Sequence, residues 1–318
     1  MTGRTETLDT AAVVRASLRG RRFNPAGVAF EATLLLMLLV SLLILVTLLA
    51  DIVIGALPVF RDRGVDFVTS GISLDSSTAG VWTALLGSIG ITLIVAVVAF
   101  PLGIGAAVYL EEYAPDNALT RFLQTNIRNL AGVPSIVYGL LGLAVFVRLV
   151  DLIGLGGPDT TAGRNVIAAG ITLAVLVLPI IIITASEALR AVPDTIREAG
   201  FGVGATQWEV IRHHTLPAAA PGILTGTVLA LARAFGETAP LLVIGVATGF
   251  FSAGSAGLFD RLTGTYTALP AVVLSWSRQA DPVFKENLAP AAIVVLLVVL
   301  FVANGSAVIL RNRYERRW

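Results

Sequence analysis

The chain contains no cysteine. That excludes a disulfide framework, a thiolate nucleophile and any cysteine-ligated metal. Histidine is nearly absent: only His213 and His214 occur, and they are adjacent. Neighbours on a helix point about 100° apart, which makes a poor chelate, and no metal site is expected. Charge is scarce as well. Charged residues make up 14% of the 318 positions, where soluble domains run at about 25%. There is no G-x-x-x-x-G-K-[S/T] phosphate loop; GFGVG at Gly200–Gly204 lacks the lysine that would follow. Nor is there an H-E-x-x-H or G-x-S-x-G pattern. An intramembrane enzyme therefore has no constellation to work with, and any nucleotide chemistry must come from elsewhere. The formal net charge of +1 singles out no partner, and no nucleic-acid partner is expected.

What the chain does have is apolar length. It is 56% hydrophobic, with a mean hydropathy of +0.85. A β-barrel alternates in short segments and gives no long apolar runs, so the pattern predicts an all-α integral membrane protein. Six spans can be drawn, at about Ala32–Ile54, Val81–Leu110, Leu130–Val147, Val166–Ala185, Ala219–Ala247 and Leu288–Leu310. Pro101, Pro134, Pro179 and Pro240 fall inside them, and each removes a backbone donor and favours a kink.

Basic residues set the orientation. The N-terminal tail carries Arg4, Arg15, Arg19, Arg21 and Arg22, and the span that follows is too long for a cleaved signal peptide. With both termini and the two inner loops on one side, fourteen Lys and Arg lie inside and seven outside. That bias predicts N-in and C-in. Two outer segments are long, Pro58–Gly80 and Ser252–Asn287. The second holds an apolar piece, Ala268–Leu274, too short to span and read as an interfacial or re-entrant turn.

Arg233 and Glu237 lie in the run Leu216–Phe251, which has no other Asp, Glu, Lys or Arg. A charge in mid-span costs at least ~2.5–3.5 kcal/mol on insertion scales. At i, i+4 the two can share a helix face and pair. Arg233 is 16 residues past Pro217, about 24 Å of helix at about 1.5 Å per residue, too deep to snorkel. The pair is either a structural lock between helices or part of a path for a polar solute. Gly236 would admit a neighbouring backbone and Pro240 would loosen the helix, so both are gate candidates. Glu111 and Glu112, closing the second span, read as solvated loop charges. Asn126, Arg128 and Asn129 read as interface anchors or exit lining at the inner end of the third span.

The inner loop Glu187–Pro217 has charged ends and apolar residues between, among them Ile196, Ala199, Val203, Trp208, Val210 and Ile211. Pro193 leads into a helix with Asp194 or Thr195 as its N-cap. Gly200, Gly202 and Gly204 end or interrupt it, with Gly204 suited to C′. A second short helix, Thr206–His213, would stop before Pro217. Such a helix–glycine–helix unit is either an interfacial connector or a piece that docks into a groove of a soluble partner.

This loop resembles the EAA loop of ABC-importer permeases: Glu198-Ala199-Gly200, then Gly204, then Thr215-Leu216-Pro217. It departs from the usual pattern at Gly200 and His214. AVYLEEYAP (Ala107–Pro115), LAGVPSIVYGLLGL (Leu130–Leu143), PGILTGTVLALARAFGETAPLL (Pro221–Leu242) and YTALP (Tyr266–Pro270) resemble phosphate-import permeases of the Pst type, the GETAPLL ending being of the PstA kind. The resemblance implies a type I ABC importer (MetI-like) permease fold in a prokaryotic cytoplasmic membrane. It divides the chain into a cytoplasmic basic tail (1–29), a first span and outer loop (30–79), a permease core (80–310) with the EAA loop at 187–217 and an outer loop at 252–287, and a second basic tail (311–318). It implies a phosphate path at Arg233 and Glu237, and ATPase coupling through Glu198, Ala199, Gly200, Gly204, Thr206 and Trp208. The implied partners are a PstC-like permease, two copies of a PstB-like ATPase holding ATP-Mg, a PstS-like phosphate-binding protein, phosphate itself and membrane lipid. This chain would bind no cofactor. Some members carry a basic residue near the inner end of the fourth span, where this chain has Ile183-Thr184. A permease for another oxyanion such as molybdate or sulfate, or a membrane sensor of phosphate status, is the alternative.

Overall fold

The computed structural model describes residues 25–155, 163–246 and 264–314, and every regular element among them is helical. The basic tail through Arg22, residues 252–263 of the outer loop, and Arg316 and Arg317 lie outside the described residues. Among the described residues, six helices are long and apolar enough to cross a membrane. Helix α1 (Pro25–Asp62) runs across the boundary of two units, residues 1–51 and 52–318. In the first unit it is apolar all round, with Leu34, Leu35, Leu36, Met37 and Leu38 exposed, the surface of a lipid-facing span.

In the second unit, the end of α1 buries Ala56 and Val59 in a cluster with Phe67 of α2 (Asp66–Thr69). The outer segment 58–80 is therefore folded. Arg63 Nη1 donates to the Ala79 carbonyl at 2.6 Å, and its guanidinium lies over the Phe67 ring. Helix α3 (Trp82–Val108) continues through a wide π turn, Tyr109–Tyr113. The amphipathic α4 (Ala118–Ala131) follows, capped by Asn117, whose side chain accepts from Thr120 N at 2.9 Å.

The third span is α5 (Ser135–Leu141), a π turn (Gly142–Phe146) and α6 (Val147–Leu152). It starts five residues later than hydropathy places it. Leu130 belongs to α4, and Gly132-Val133-Pro134 makes the corner, with Pro134 at φ −55°, ψ 135° as N-cap. A hydropathy window averages over such a corner, because apolar residues flank it on both sides.

Helix α7 (Val166–Arg190) is the centre of the second unit, with 67% of its most apolar stretch buried. Buried Asn165 caps it, accepting from Ala168 N at 3.0 Å and donating to Leu155 O at 2.9 Å. Glycines let its neighbours close in. A Cβ on Gly103 of α3 would lie 2.6 Å from Ile181, and one on Gly170 would lie 2.6 Å from Ile94 of α3. Small residues at such contacts are the usual device where lipid removes the hydrophobic drive between helices.

After α7 come α8 (Asp194–Gly202) and α9 (Gln207–Val210). The N-cap of α8 is Pro193, without a side-chain bond, rather than Asp194 or Thr195. Helix α9 does not stop before Pro217. It passes through a π turn (Ile211–Thr215) into α10 (Leu216–Gly236), with Pro217 in the first turn. Proline is tolerated there because the π turn already interrupts the i→i−4 ladder and Pro217 has no N–H to lose. Helix α11 (Ala239–Ile244) follows a break. Helix α12 (Leu269–Ser277) contains the short apolar piece of the outer loop. It is a short helix packed in the core: Trp276 is 1% exposed and sits between Phe67 and Phe284. Its first amide, Leu269 N, donates to Ser88 Oγ of α3 at 2.8 Å. The sixth span opens with a π turn at Phe284–Leu288 and continues as α13 (Ala289–Tyr314).

Candidate functional site

Arg233 lies in the last turn of α10. The helix ends at Gly236 because Pro240 has no N–H to offer the Gly236 carbonyl, and its ring would clash with that carbonyl four residues back. Glu237 is extended, at φ −74° and ψ 126°, and Glu237 N donates to Ala234 O at 3.3 Å. Thr238 then leads into α11, where Pro240 occupies the first turn. The two charged residues thus do not share a continuous helix face, as the i, i+4 spacing suggests. They meet because the break turns Glu237 back: Arg233 Nε donates to Glu237 Oε1 at 3.2 Å. The Arg233 side chain is 46% exposed and that of Glu237 17%. Among the described residues a carboxylate holds the guanidinium by one edge, through Nε. Broken helices that free backbone groups at an ion pair are a common way to build a solute site inside a membrane protein.

The gate candidates exchange roles. A Cβ on Gly236 would meet nothing within 4 Å among the described residues, so no backbone presses against it. The close approach is at Gly139 of α5, where a Cβ would lie 2.7 Å from Pro240 Cα. Pro240 is buried at the start of a separate helix and does not kink a continuous one. One residue before Gly139, the buried Tyr138 hydroxyl donates to Leu130 O of α4 at 2.8 Å and ties the corner between α4 and α5. Arg233 lies within electrostatic reach of that phenol.

At the inner loop, Gly204 takes φ +84°, a left-handed conformation that favours glycine. Thr206 caps α9 in a reciprocal box, its N–H donating to Glu209 Oε2 at 2.8 Å. Gly200 is buried, with Val210 2.7 Å from where its Cβ would be. Glu198 and Ala199 are exposed. So are Phe201, Val203 and Trp208, at 51%, 83% and 53%, which gives the loop an apolar outward tip. Val210 and Ile211 instead turn inward to the core. Phe201 was not among the apolar residues the loop pattern picks out.

Glu111 and Glu112 are not solvated. Arg190 at the end of α7 grips Glu111 with two bonds, Nε to Oε2 at 2.7 Å and Nη2 to Oε1 at 2.8 Å. Arg197 of α8 donates from Nη2 to Glu112 Oε1 at 2.8 Å. The two carboxylates are only 11% and 8% exposed. The Glu112 bonds hold the Arg197 guanidinium above its ordinary pKa range. The signal in the sequence was there in outline: acids at the inner end of one span and arginines at the inner end of another. Nothing in the spacing pairs positions 79 and 85 residues apart. Asn126 and Arg128 lie on the amphipathic α4, not on the third span; Asn126 Nδ2 donates to Phe122 O at 2.8 Å.

The chain matches the family described as binding-protein-dependent transport system inner membrane component over residues 99–317. A probable ABC transporter permease protein, YqgI of Bacillus subtilis, is 34% identical over 61% of this chain and 65% of its own length, so this chain spans less than two thirds of that relative. The phosphate transport system permease protein PstA of Mycobacterium leprae is 32% identical over 93% of this chain and 91% of its own length. The phosphate transport system permease protein PstC 2 of Mycobacterium bovis is 31% identical over 95% and 96%. Among solved structures, a bacterial alginate ABC transporter chain superposes with a TM-score of 0.59 at 16% identity, covering 89% of this chain and 94% of that one. At that identity the likeness is one of fold.

Proposed function

The chain belongs to the family of binding-protein-dependent transport system inner membrane components, the non-catalytic membrane-spanning subunits of ABC transporters, and we propose that its solute is inorganic phosphate, imported at the expense of ATP hydrolysed by a partner. The observation that carries this reading is the Arg233–Glu237 pair at the broken fifth span, in a chain whose relatives along nearly its whole length are phosphate permeases.

A phosphate group near neutral pH carries between about one and two negative charges. A path of low dielectric must replace its hydration shell with donors. Arginine suits this, being permanently charged with a planar fork of N–H groups. One arginine against a dianion is too little, so a second permease subunit with its own arginine completes the site. Relatives of both the PstA and the PstC kind support a heterodimer of two such chains. Glu237 repels the anion; its part is to orient Arg233 and weaken its hold, so that phosphate is released. The outward apolar tip of the loop at Phe201, Val203 and Trp208 supports docking to an ATPase, two copies serving the pair of permeases. An external phosphate-binding protein delivers the solute, and the assembly sits in the cytoplasmic membrane.

The test is uptake of labelled phosphate in a strain deleted for the endogenous importer and complemented with this chain and its partners. Arg233→Gln should lower uptake by about tenfold or more, the equivalent of one charge-assisted hydrogen bond of ~1.5–3 kcal/mol. Complementation that restores molybdate or sulfate uptake but leaves phosphate unchanged would overturn the choice of solute.

A further inference from the structure

The π turn Tyr109–Tyr113 at the inner end of the second span is held from three directions. Arg190 of α7 takes the Glu111 carboxylate. Arg197 of α8 takes the Glu112 carboxylate. Gln207 of α9 donates from Nε2 to the Glu112 carbonyl. Successive residues on an α-helix diverge by about 100°; the wider π turn presents Glu111 and Glu112 to partners on adjacent elements. Such turns are frequent at functional sites.

The two ion pairs differ in what they join. Glu111–Arg190 ties one span to another. Glu112–Arg197 ties a span to the inner loop, and it is the more enclosed, with side chains 19% and 8% exposed against 40% and 11%. Arg197 also binds the loop to the end of α7. Its Nη2 donates to Leu189 O and its Nη1 to Val192 O, both at 2.9 Å, and to Asp194 Oδ1 at 3.0 Å. One guanidinium thus gathers the end of the fourth span, the first turn of α8 and the end of the second span. Glu112, in turn, is gripped by both helices of the loop, through its side chain from α8 and its carbonyl from α9.

We infer that the Glu112–Arg197 pair is the joint through which movement of the inner loop reaches the second span, with Arg197 a positioning residue that acts on Arg233 only through that span and its packing. The inference rests on the reading of this loop as the docking point of an ATPase. An isolated structural prop would need neither the second grip from α9 nor the different linkage of the neighbouring pair. A loop that must drive a span needs a connection stiff enough to carry displacement, and a largely enclosed charge-assisted pair with further backbone bonds provides it.

The experiment uses the full transporter in proteoliposomes and a reporter independent of the solute. Because the chain has no cysteine, Gly236→Cys places a single thiol on it beside Glu237, where a side chain meets no neighbour among the described residues. Its rate of labelling by a water-soluble maleimide is read with and without ATP and orthovanadate. In the otherwise unaltered chain the rate should change with nucleotide by about fivefold or more, within the usual range of coupling between sites. Glu112→Ala, which leaves the carbonyl bonds of Arg197 in place, should reduce that change to under about twofold. Arg197→Ala should do the same, and the double substitution should do no more than either one. Glu111→Ala should keep most of the response. The joint is refuted by a full response in Glu112→Ala, by an equal loss in Glu111→Ala, by losses that track membrane abundance, or by a reporter blind to nucleotide in the unaltered chain. If Arg197→Ala fails to accumulate, Glu112→Ala decides alone. A transporter that shows this pattern yet carries no phosphate refutes the solute and leaves the joint standing.

Discussion

Arg233 is held at one edge by a carboxylate and left nearly half exposed, and Glu237 should be read from that imbalance. The pair is joined by a single bond, Arg233 Nε to Glu237 Oε1, and a carboxylate beside the guanidinium competes with a bound anion for the same donors. Glu237→Gln keeps the shape and removes the competition. It should leave membrane abundance close to that of the unaltered chain, lower the KM for phosphate and lower the maximal rate, because the anion then leaves more slowly. Initial-rate kinetics on cells or vesicles separates the two constants. A several-fold fall in abundance with unchanged KM would assign the pair to the fold instead. The charges themselves were legible, since a lone Arg and Glu in an apolar run of 36 residues stand out by cost. Their geometry was not. The effect of Pro240 falls on the carbonyl four residues earlier, and whether a chain kinks or breaks there depends on what packs around it. The glycine beside the pair misled for a similar reason. Gly236 faces open space while Gly139, about a hundred positions earlier, meets Pro240; sequence proximity to a site says nothing about which neighbour arrives.

Among elements, the contact of α10 with α7 fixes where that pair sits. A Cβ on Gly226 of α10 would lie 2.2 Å from Thr184 Oγ1 and 2.4 Å from Thr184 Cβ of α7. Rotating the threonine side chain moves its oxygen but not its Cβ, so the helices themselves must part. Gly226→Ala should therefore destabilise the protein by about 1–3 kcal/mol, the range for an overfilled core. It should lower the melting midpoint of the purified protein in detergent. Gly236→Ala, in the same helix with nothing to meet, should be neutral or raise stability by up to ~1 kcal/mol. Equal midpoints for the two variants would mean that this crossing is looser than drawn. At the same scale, the number and type of elements followed from composition, because an apolar run as long as Val166–Arg190 has few folded alternatives in lipid. Boundaries did not follow. The corner at Gly132-Val133-Pro134 lies inside an apolar stretch, while the passage from α9 into α10 runs through Arg212, His213 and His214 and the sixth span starts early through Lys285, Glu286 and Asn287, polar residues at the margin of an apolar run. Hydropathy reports solvent preference there and is blind to a change in the hydrogen-bond ladder. The carboxylates of the π turn were missed at this scale too, since burial of Glu111 and Glu112 depends on arginines that only tertiary packing delivers.

For the whole molecule, the question is where an outside force enters, and two adjacent residues of α8 divide the answer. Arg197 faces inward, 19% exposed and bonded to three other segments. Glu198, next along the helix, is exposed, about 100° around the helix axis. Substitution of an exposed side chain away from such contacts changes stability by about 0.5 kcal/mol or less. Glu198→Lys should therefore insert and accumulate normally. If the loop meets an ATPase at this face, the reversed charge opposes whatever cation on the partner faces Glu198, and the apolar tip formed by Phe201, Val203 and Trp208 loses its register. Phosphate uptake should fall by about tenfold or more, as expected for like charges brought together at a contact that excludes water. ATP hydrolysis by the partner should no longer be matched by transport. The two failures are distinguishable. Loss of the inward pair at Arg197 should leave the ATPase bound and silence the nucleotide response of the Gly236→Cys reporter, whereas Glu198→Lys should weaken co-purification of the ATPase itself. Normal uptake by Glu198→Lys, at normal abundance, would remove the docking role from this face and leave the conformation of the loop, secured from within by Gly204 and the Thr206–Glu209 box, without an external partner to explain it.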